Sequence, residues 1–386
     1  MGEKLKEGAK NLLTCQVVEG SVDQPTTVLV AGKEKLAINS KFYQIFREYQ
    51  ELSVRYDGVH RAVWVYYKPG LRPCFSEVIL REALAIQRSV IAYFQSINEG
   101  DGQPAIRFLV QASQVPGIFN LGGDLDLFVK LIVERDGDKL FEYAKNCVDI
   151  CYLNAVNLNL PITTISLVTG LALGGGFEAA LSGSILIAEK NSEMGFPEIR
   201  FNLFPGMGAY SLLARIAGGR VAEKMIASGR IYSAWELYEM NVVHEIADTG
   251  QGIETVERFM RQMSRVDNGF QALQQVKQRV NPINYEELID VTRLWVEAAL
   301  RLTPHDLRMM ERLVSAQIAK VAPRDERRKL SLMRTRQDRR FIAYEELTYP
   351  FVTWSGEVVT HDRRRPGRDR RGTEESENGN SAGSAA

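Results

Sequence analysis

The chain has 386 residues, with 48 basic and 48 acidic side chains, a formal net charge of zero and 45% hydrophobic residues. That is enough apolar material for a sizeable core in a soluble protein, and the length alone allows two domains. The four cysteines (Cys15, Cys74, Cys147 and Cys151) form no CxxC pair, and the four histidines (His60, His244, His305 and His361) lack any ligand spacing, so no metal and no histidine-based nucleophilic triad is expected.

In chain order, residues 1–10 are charged throughout and lack an apolar h-region, so no secretory signal is expected and the cytoplasm is the expected compartment. Short strands are predicted at 26–31, 62–67, 106–110, 162–168 and 185–188, separated by helical patterns such as 75–94 and 124–150. This alternation predicts an α/β core in which pairs of strands and a helix repeat as a spiral. Cys147 and Cys151 lie one turn apart on the second helical pattern, where packing on an apolar face explains them better than a metal or redox pair. The stretch 160–188 is apolar enough to suggest a membrane span, yet it contains three glycines, Glu178 and polar Thr and Ser, which argue against one.

From residue 221 the chain turns mostly helical, with helices expected at 221–228, 233–240, 253–266 and 286–302. The division that follows is an N-terminal extension at 1–24, a core at 25–220, a helical region at 221–320 and a basic extension at 321–386. Residues 324–371 hold fourteen Lys/Arg against eight Asp/Glu, so the neutral total combines a basic tail with an acidic body. With no helix-turn-helix or zinc spacing beside the charge, the tail reads as a solvated extension rather than a nucleic-acid surface. Within it Tyr349-Pro350-Phe351-Val352-Thr353-Trp354, followed by Gly356, suits a short hairpin, and 373–386 has a disordered composition.

The most informative segment is Leu173-Gly174-Gly175-Gly176-Phe177-Glu178, with Pro197-Glu198 about twenty residues on and then Pro205-Gly206-Met207-Gly208. It follows the strand-like 162–168 and opens a helix, so unpaired N–H groups at the helix start suit an oxyanion. GxGxxG and the P-loop Lys-Ser/Thr pair are both missing, which argues against a nucleotide phosphate. On the glycines alone, a tight helix-on-sheet turn explains the pattern equally well. A second junction, Phe119-Asn120-Leu121-Gly122-Gly123-Asp124, follows the strand at 106–110, and Asp124 suits a helix cap. Two such junctions can each offer one N–H to the same carbonyl oxygen.

On these residues the chain resembles the crotonase (enoyl-CoA hydratase/isomerase) superfamily. The resemblance implies a crotonase-like ββα spiral core with a C-terminal helical trimerisation region. It also implies Glu178 and Glu198 as catalytic acid and base, and backbone donors at Leu121 and Gly175 as the oxyanion hole. Gly122, Gly174, Phe204, Met207 and Trp295 are the expected substrate-binding residues, with Tyr210 and Leu294 as further candidates for an apolar tunnel, although core packing explains each of these apolar side chains as well. The wording PGMGAYSLLARI after Pro197-Glu198, with Tyr285-Glu286-Glu287-Leu288 downstream, is similar to the diffusible signal factor (DSF) synthases of the RpfF type.

That closer resemblance implies dehydration of a 3-hydroxyacyl thioester to a cis-2-enoyl thioester, followed by hydrolysis to the free acid. By analogy with the wider superfamily Glu198 would act at C2 and Glu178 at the C3 oxygen, with the swap of these roles left open by the sequence. The implied substrate is an acyl-ACP or acyl-CoA thioester, with no cofactor. The implied partners are acyl carrier protein or CoA, further copies in a homotrimer or hexamer, and a signalling sensor protein; neither a membrane nor nucleic acid is among them. Two other readings stay open: an ordinary enoyl-CoA hydratase/isomerase, and a non-catalytic acyl- or sensor-binding protein.

Overall fold

The computed structural model describes residues 36–68, 72–321, 351–352 and 358–359, and the chain divides into two compact units, 1–322 and 323–386. In the first unit, strands β1 (Leu52–Asp57) and β2 (Ala62–Tyr67) form a hairpin, followed by helix α1 (Glu77–Gln95). Three further turns then repeat one plan. The first is β3 (Phe108–Ser113) and β4 (Ile118–Asn120), then α2 (Leu125–Val133) and α3 (Gly137–Ala155). The second is β5 (Thr163–Val168), β6 (Leu171–Leu173) and α4 (Gly175–Ser182). The third is β7 (Ile185–Glu189) and β8 (Glu193–Gly195), a 3-10 turn at Glu198–Phe201, α5 (Ala209–Ala217) and α6 (Gly219–Ser228).

In each of these turns the first strand enters a six-stranded sheet and the second a four-stranded one. With β9 (Ile231–Ser233), α7 (Ala234–Glu239) and β10 (Glu245–Ala247), the orders are β10-β7-β5-β3-β2-β1 and β9-β8-β6-β4. All neighbours are parallel except β1 with β2 and β8 with β9. This is the α/β crotonase-like ββα core. Helices α8 (Gly252–Arg265), α9 (Asp267–Val280), α10 (Tyr285–Ala299) and α11 (Pro304–Val321) complete a C-terminal helical bundle.

All six residues of β5 are buried, because parallel strands in the middle of this sheet are covered on both faces. Phe108 and Val110 face one apolar cluster with Val256 and Met260 of α8, while Leu109, between them, belongs to the main core. The apolar run 160–188 becomes β5, β6, α4 and the start of β7, and no helix among the described residues is long and apolar enough to cross a membrane.

The helical pattern 124–150 is two helices. Arg135 takes a positive φ of 55°, and Asp136 caps the second helix by accepting from Lys139 N, so the chain breaks where a local cap competes with helix continuation. Cys147 and Cys151 are free thiols on α3, and burial pushes both well above the ordinary range. The strand expected at 26–31 lies outside the described residues, as do the basic clusters of the extension. In the second unit, Phe351–Val352 pairs antiparallel with Val358–Val359.

Candidate active site

Strands β4, β6 and β8 are parallel neighbours, so their C-terminal ends share one edge of the small sheet. β4 runs into Leu121-Gly122-Gly123, β6 into Gly174-Gly175-Gly176, and β8 into Pro197-Glu198. Three motifs from separate stretches of the sequence therefore converge through sheet register.

The contact between the first two junctions requires glycine. Gly122 has φ +99°, and a methyl group there would stand 2.8 Å from the Leu173 carbonyl oxygen and 3.1 Å from Gly175 N. Gly174, at φ +54°, donates its N–H to Gly195 O at 2.9 Å, which ties the third junction to the second. Asn120 Oδ1 accepts from Gly122 N at 2.8 Å and tightens the first turn.

The oxyanion donor expected at Leu121 is corrected by this geometry. The Leu121 N–H donates to Pro73 O at 2.7 Å and is not available to a ligand. Gly123 N stands 3.4 Å from the position of a Cβ on Gly175, and neither glycine's N–H is taken by another backbone carbonyl among the described residues. Gly175 begins α4, where the first N–H groups of a helix have no intrahelical acceptor. The pair of adjacent open N–H groups is therefore Gly123 and Gly175. Leu121 still lines the cavity.

Glu178, on the first turn of α4, is 1% exposed. Its Oε1 accepts from Met207 N at 2.8 Å and Ala209 N at 3.0 Å, while its buried Oε2 takes no hydrogen bond within the protein. Burial pushes this carboxyl up to about 7 against the pull of those two N–H groups. Glu198 also encloses an unpartnered Oε2. Burial, with the negative charge of Glu178 nearby, pushes it up to about 8. The two carboxyls are electrostatically coupled, and their proton-release steps belong to the pair.

Both face a cavity of about 220 Å³ lined by Gly122, Gly174, Gly175, Met207 and Trp295 of the expected residues, together with Gly123, Leu125, Phe128, Phe201 and Leu203. Trp295 is 2% exposed and rests on Gly206, where a methyl would stand 2.2 Å from the indole. Thr292 Oγ1 donates to Gly206 O at 3.1 Å, so α10 is fastened to the Pro205-Gly206-Met207 loop by two adjacent contacts.

Three expected tunnel residues lie elsewhere. Phe204 packs half-buried against the main core, with Leu203 taking its place in the wall, and Tyr210 and Leu294 are 47% and 58% exposed. Leu125 and Phe128, which sequence reasoning passed over, are three residues apart on the helix that Asp124 caps; that spacing after a capping residue was the available signal.

Among the described residues, one group of Asp, His and Glu is close enough to share a cation: Asp57, His60 and Glu257. Its donors are already engaged. Asp57 Oδ2 holds His60 Nδ1 at 2.5 Å, and the Arg261 guanidinium stands 3.4 Å from His60 Nε2 and 3.8 Å from Glu257. The Arg261 guanidinium thus supplies a positive charge beside two of the three groups, where a metal cation would have to compete with it.

Comparison with known proteins agrees with this architecture. Residues 85–318 match the family described as enoyl-CoA hydratase/isomerase. The chain belongs to that family. It is 30% identical over 160 residues to the mitochondrial methylglutaconyl-CoA hydratase of Mus musculus, an alignment covering 42% of this chain and 49% of that protein. The chain thus spans about half the length of that relative. It is 28% identical over 210 residues to a probable mitochondrial enoyl-CoA hydratase 2 of Arabidopsis thaliana, covering 54% of this chain and 65% of that one. Among solved structures, an enoyl-CoA hydratase from Bacillus halodurans superposes with a TM-score of 0.57 at 15% identity, over 68% of this chain and 99% of that chain. At that identity the likeness concerns the fold alone.

Proposed function

We propose that this chain is an enoyl-thioester hydratase, adding water reversibly across the C2–C3 double bond of an enoyl-CoA. The observation that carries this reading is the pairing of two buried carboxyls, both raised toward neutrality, with two adjacent open N–H groups on one mostly apolar cavity. The matched curated relatives named above are hydratases, which favours this reading over the dehydratase-thioesterase chemistry implied by the DSF-synthase resemblance.

The proposed steps balance with no cofactor. The Gly123 and Gly175 N–H groups polarise the thioester carbonyl and take the enolate charge that develops as the nucleophile arrives at C3. Donors of this kind are each worth on the order of a hundred- to a thousand-fold in rate. Near neutral pH the pair holds about one proton, and in the proposed step Glu178 is the ionised member and Glu198 the protonated one. Glu178 takes a proton from water as its oxygen bonds to C3, and Glu198 delivers its proton to C2, each step worth roughly a hundred- to ten-thousand-fold.

The test is product analysis with the purified 386-residue chain, offered a trans-2-enoyl-CoA and, separately, 3-hydroxydodecanoyl-ACP. Formation of 3-hydroxyacyl-CoA, abolished in Glu178→Gln and in Glu198→Gln, supports the hydratase. Release of a free cis-2-unsaturated acid from the ACP substrate moves the chain to the signal-synthase chemistry, the second reading. What favours that reading is PGMGAY, which puts the Met207 side chain against the cavity. No turnover of either substrate, with binding retained, identifies a non-catalytic acyl- or sensor-binding protein.

The family resemblance also carries a proposal about assembly. Leu273, Val276 and Val280, at i, i+3 and i+7 on α9, are 60%, 54% and 79% exposed, an apolar stripe suited to contact between copies in a trimer or hexamer. Sedimentation equilibrium of the wild type and of Val276→Glu with Val280→Glu decides it.

A further inference from the structure

The segment carrying the Gly123 donor is held in place by a strip of chain from far upstream. Pro73 O accepts from Leu121 N at 2.7 Å, and Phe75 N donates to Gly122 O at 2.8 Å, so residues 73–75 lie along 121–123 like one short strand beside another. In a trans peptide the C=O and N–H point in opposite directions. Fixing the Gly122 carbonyl on Phe75 therefore aims the Gly123 N–H the other way, toward Gly175.

One side chain closes this pairing at its end. The hydroxyl of Tyr143, on α3, donates to Phe75 O and accepts from Asp124 N at 3.1 Å, so a single oxygen grips both strips next to Gly123. Tyr143 is 4% exposed, and its ring meets Phe128 edge-on at 5.1 Å, beneath the cavity wall. Burial holds the phenol well above its ordinary range, so the hydroxyl keeps the proton it donates.

We infer that Tyr143 is a positioning residue for the reaction: its hydroxyl locks residues 73–75 to residues 122–124 and so fixes the direction of the Gly123 N–H that meets the thioester oxygen. Tyr143 itself touches no substrate. The inference rests on the thioester reading given above, and it concerns a residue outside the two glutamates and the two donor glycines.

The experiment is Tyr143→Phe in the full chain, which keeps the ring and removes only the oxygen. The expected result is a kcat for enoyl-CoA hydration lower by about ten- to thirty-fold, a part of what losing one oxyanion donor costs, with KM within about twofold. A conjugated enoyl thioester bound to the variant should show a smaller red shift than when bound to wild type. Hydrogen–deuterium exchange should speed up at the Asp124 amide while the rest of α3 keeps its protection. A lower melting temperature with kcat and the red shift unchanged would make Tyr143 merely structural and overturn the inference. Wild-type protein inactive on every thioester would instead defeat the functional reading, and unchanged exchange at Asp124 in Tyr143→Phe would even then overturn the clamp.

Discussion

A methyl group on Gly174 would stand 2.3 Å from Oε1 of Glu198. The first glycine of the triple thus serves the carboxyl of a different motif, by leaving room for it. Gly174→Ala combines that collision with a positive-φ backbone (φ +54°, ψ −125°) that side chains rarely adopt, at a cost of roughly 1–3 kcal/mol. Because a displaced general acid no longer reaches C2, turnover should fall by at least about a hundredfold, with the protein still folded. Steady-state hydration kinetics beside a circular-dichroism spectrum check this.

The same logic tests the oxyanion donor. A methyl on Gly123 would meet the Phe128 ring at 2.6 Å. Gly123→Ala should therefore lose activity by pushing the loop off Phe128, and Phe128→Ala introduced beside it should restore part of the loss by making room. Comparing kcat of the two single variants and the double variant decides the matter, since simple additivity would mean that the loop had not been displaced.

The acid/base pair predicts a narrow pH optimum. Hydration needs one proton on the pair, and the carboxyls are raised to about 7 and about 8. The kcat/KM profile, which reports the free enzyme, should peak between those values and fall on both sides, on the acid side as the pair takes up a second proton and on the alkaline side as it loses its last one. Measurements of kcat/KM from acid to alkaline pH trace both limbs, and a flat profile would be incompatible with the assignment.

Stability should follow the same groups with a definite sign. Their folded values lie above the ordinary 4.5, so the protonated forms favour the fold. The stability they contribute is complete below about 4.5 and is lost as pH rises through about 7 and then 8. Glu198→Gln, which keeps the shape and never ionises, should melt near the wild-type temperature in acid and at least about 2 °C above it in alkali. Thermal denaturation of both proteins at the two extremes checks the sign.

Much of this site was legible in sequence because its chemistry is written locally. Gly174 to Glu178 lie on one strand-end and helix-start, and Pro197-Glu198 announces itself by spacing. The choice between Leu121 and Gly123 was not legible, since it depends on where Pro73 and Phe75 place their own carbonyl and N–H. The strands Ile118–Asn120, Leu171–Leu173 and Glu193–Gly195 are three residues each, too short for an alternating pattern, and yet they bring the motifs together. Tyr210 and Leu294 have the composition of a tunnel wall, but the rotation of their helices turns them to the surface.

The fastening of Trp295 and Thr292 onto Gly206 has a consequence for the order in which the molecule is made. Residues 73–75, 121–123, 174–178 and 198–207 are synthesised well before α10, so a nascent chain can hold every catalytic group and still lack one wall of the cavity. Contacts closing such long loops are entropically slow to form. Activity should therefore emerge from the ribosome late and all at once, when residue 295 is free to reach residue 206.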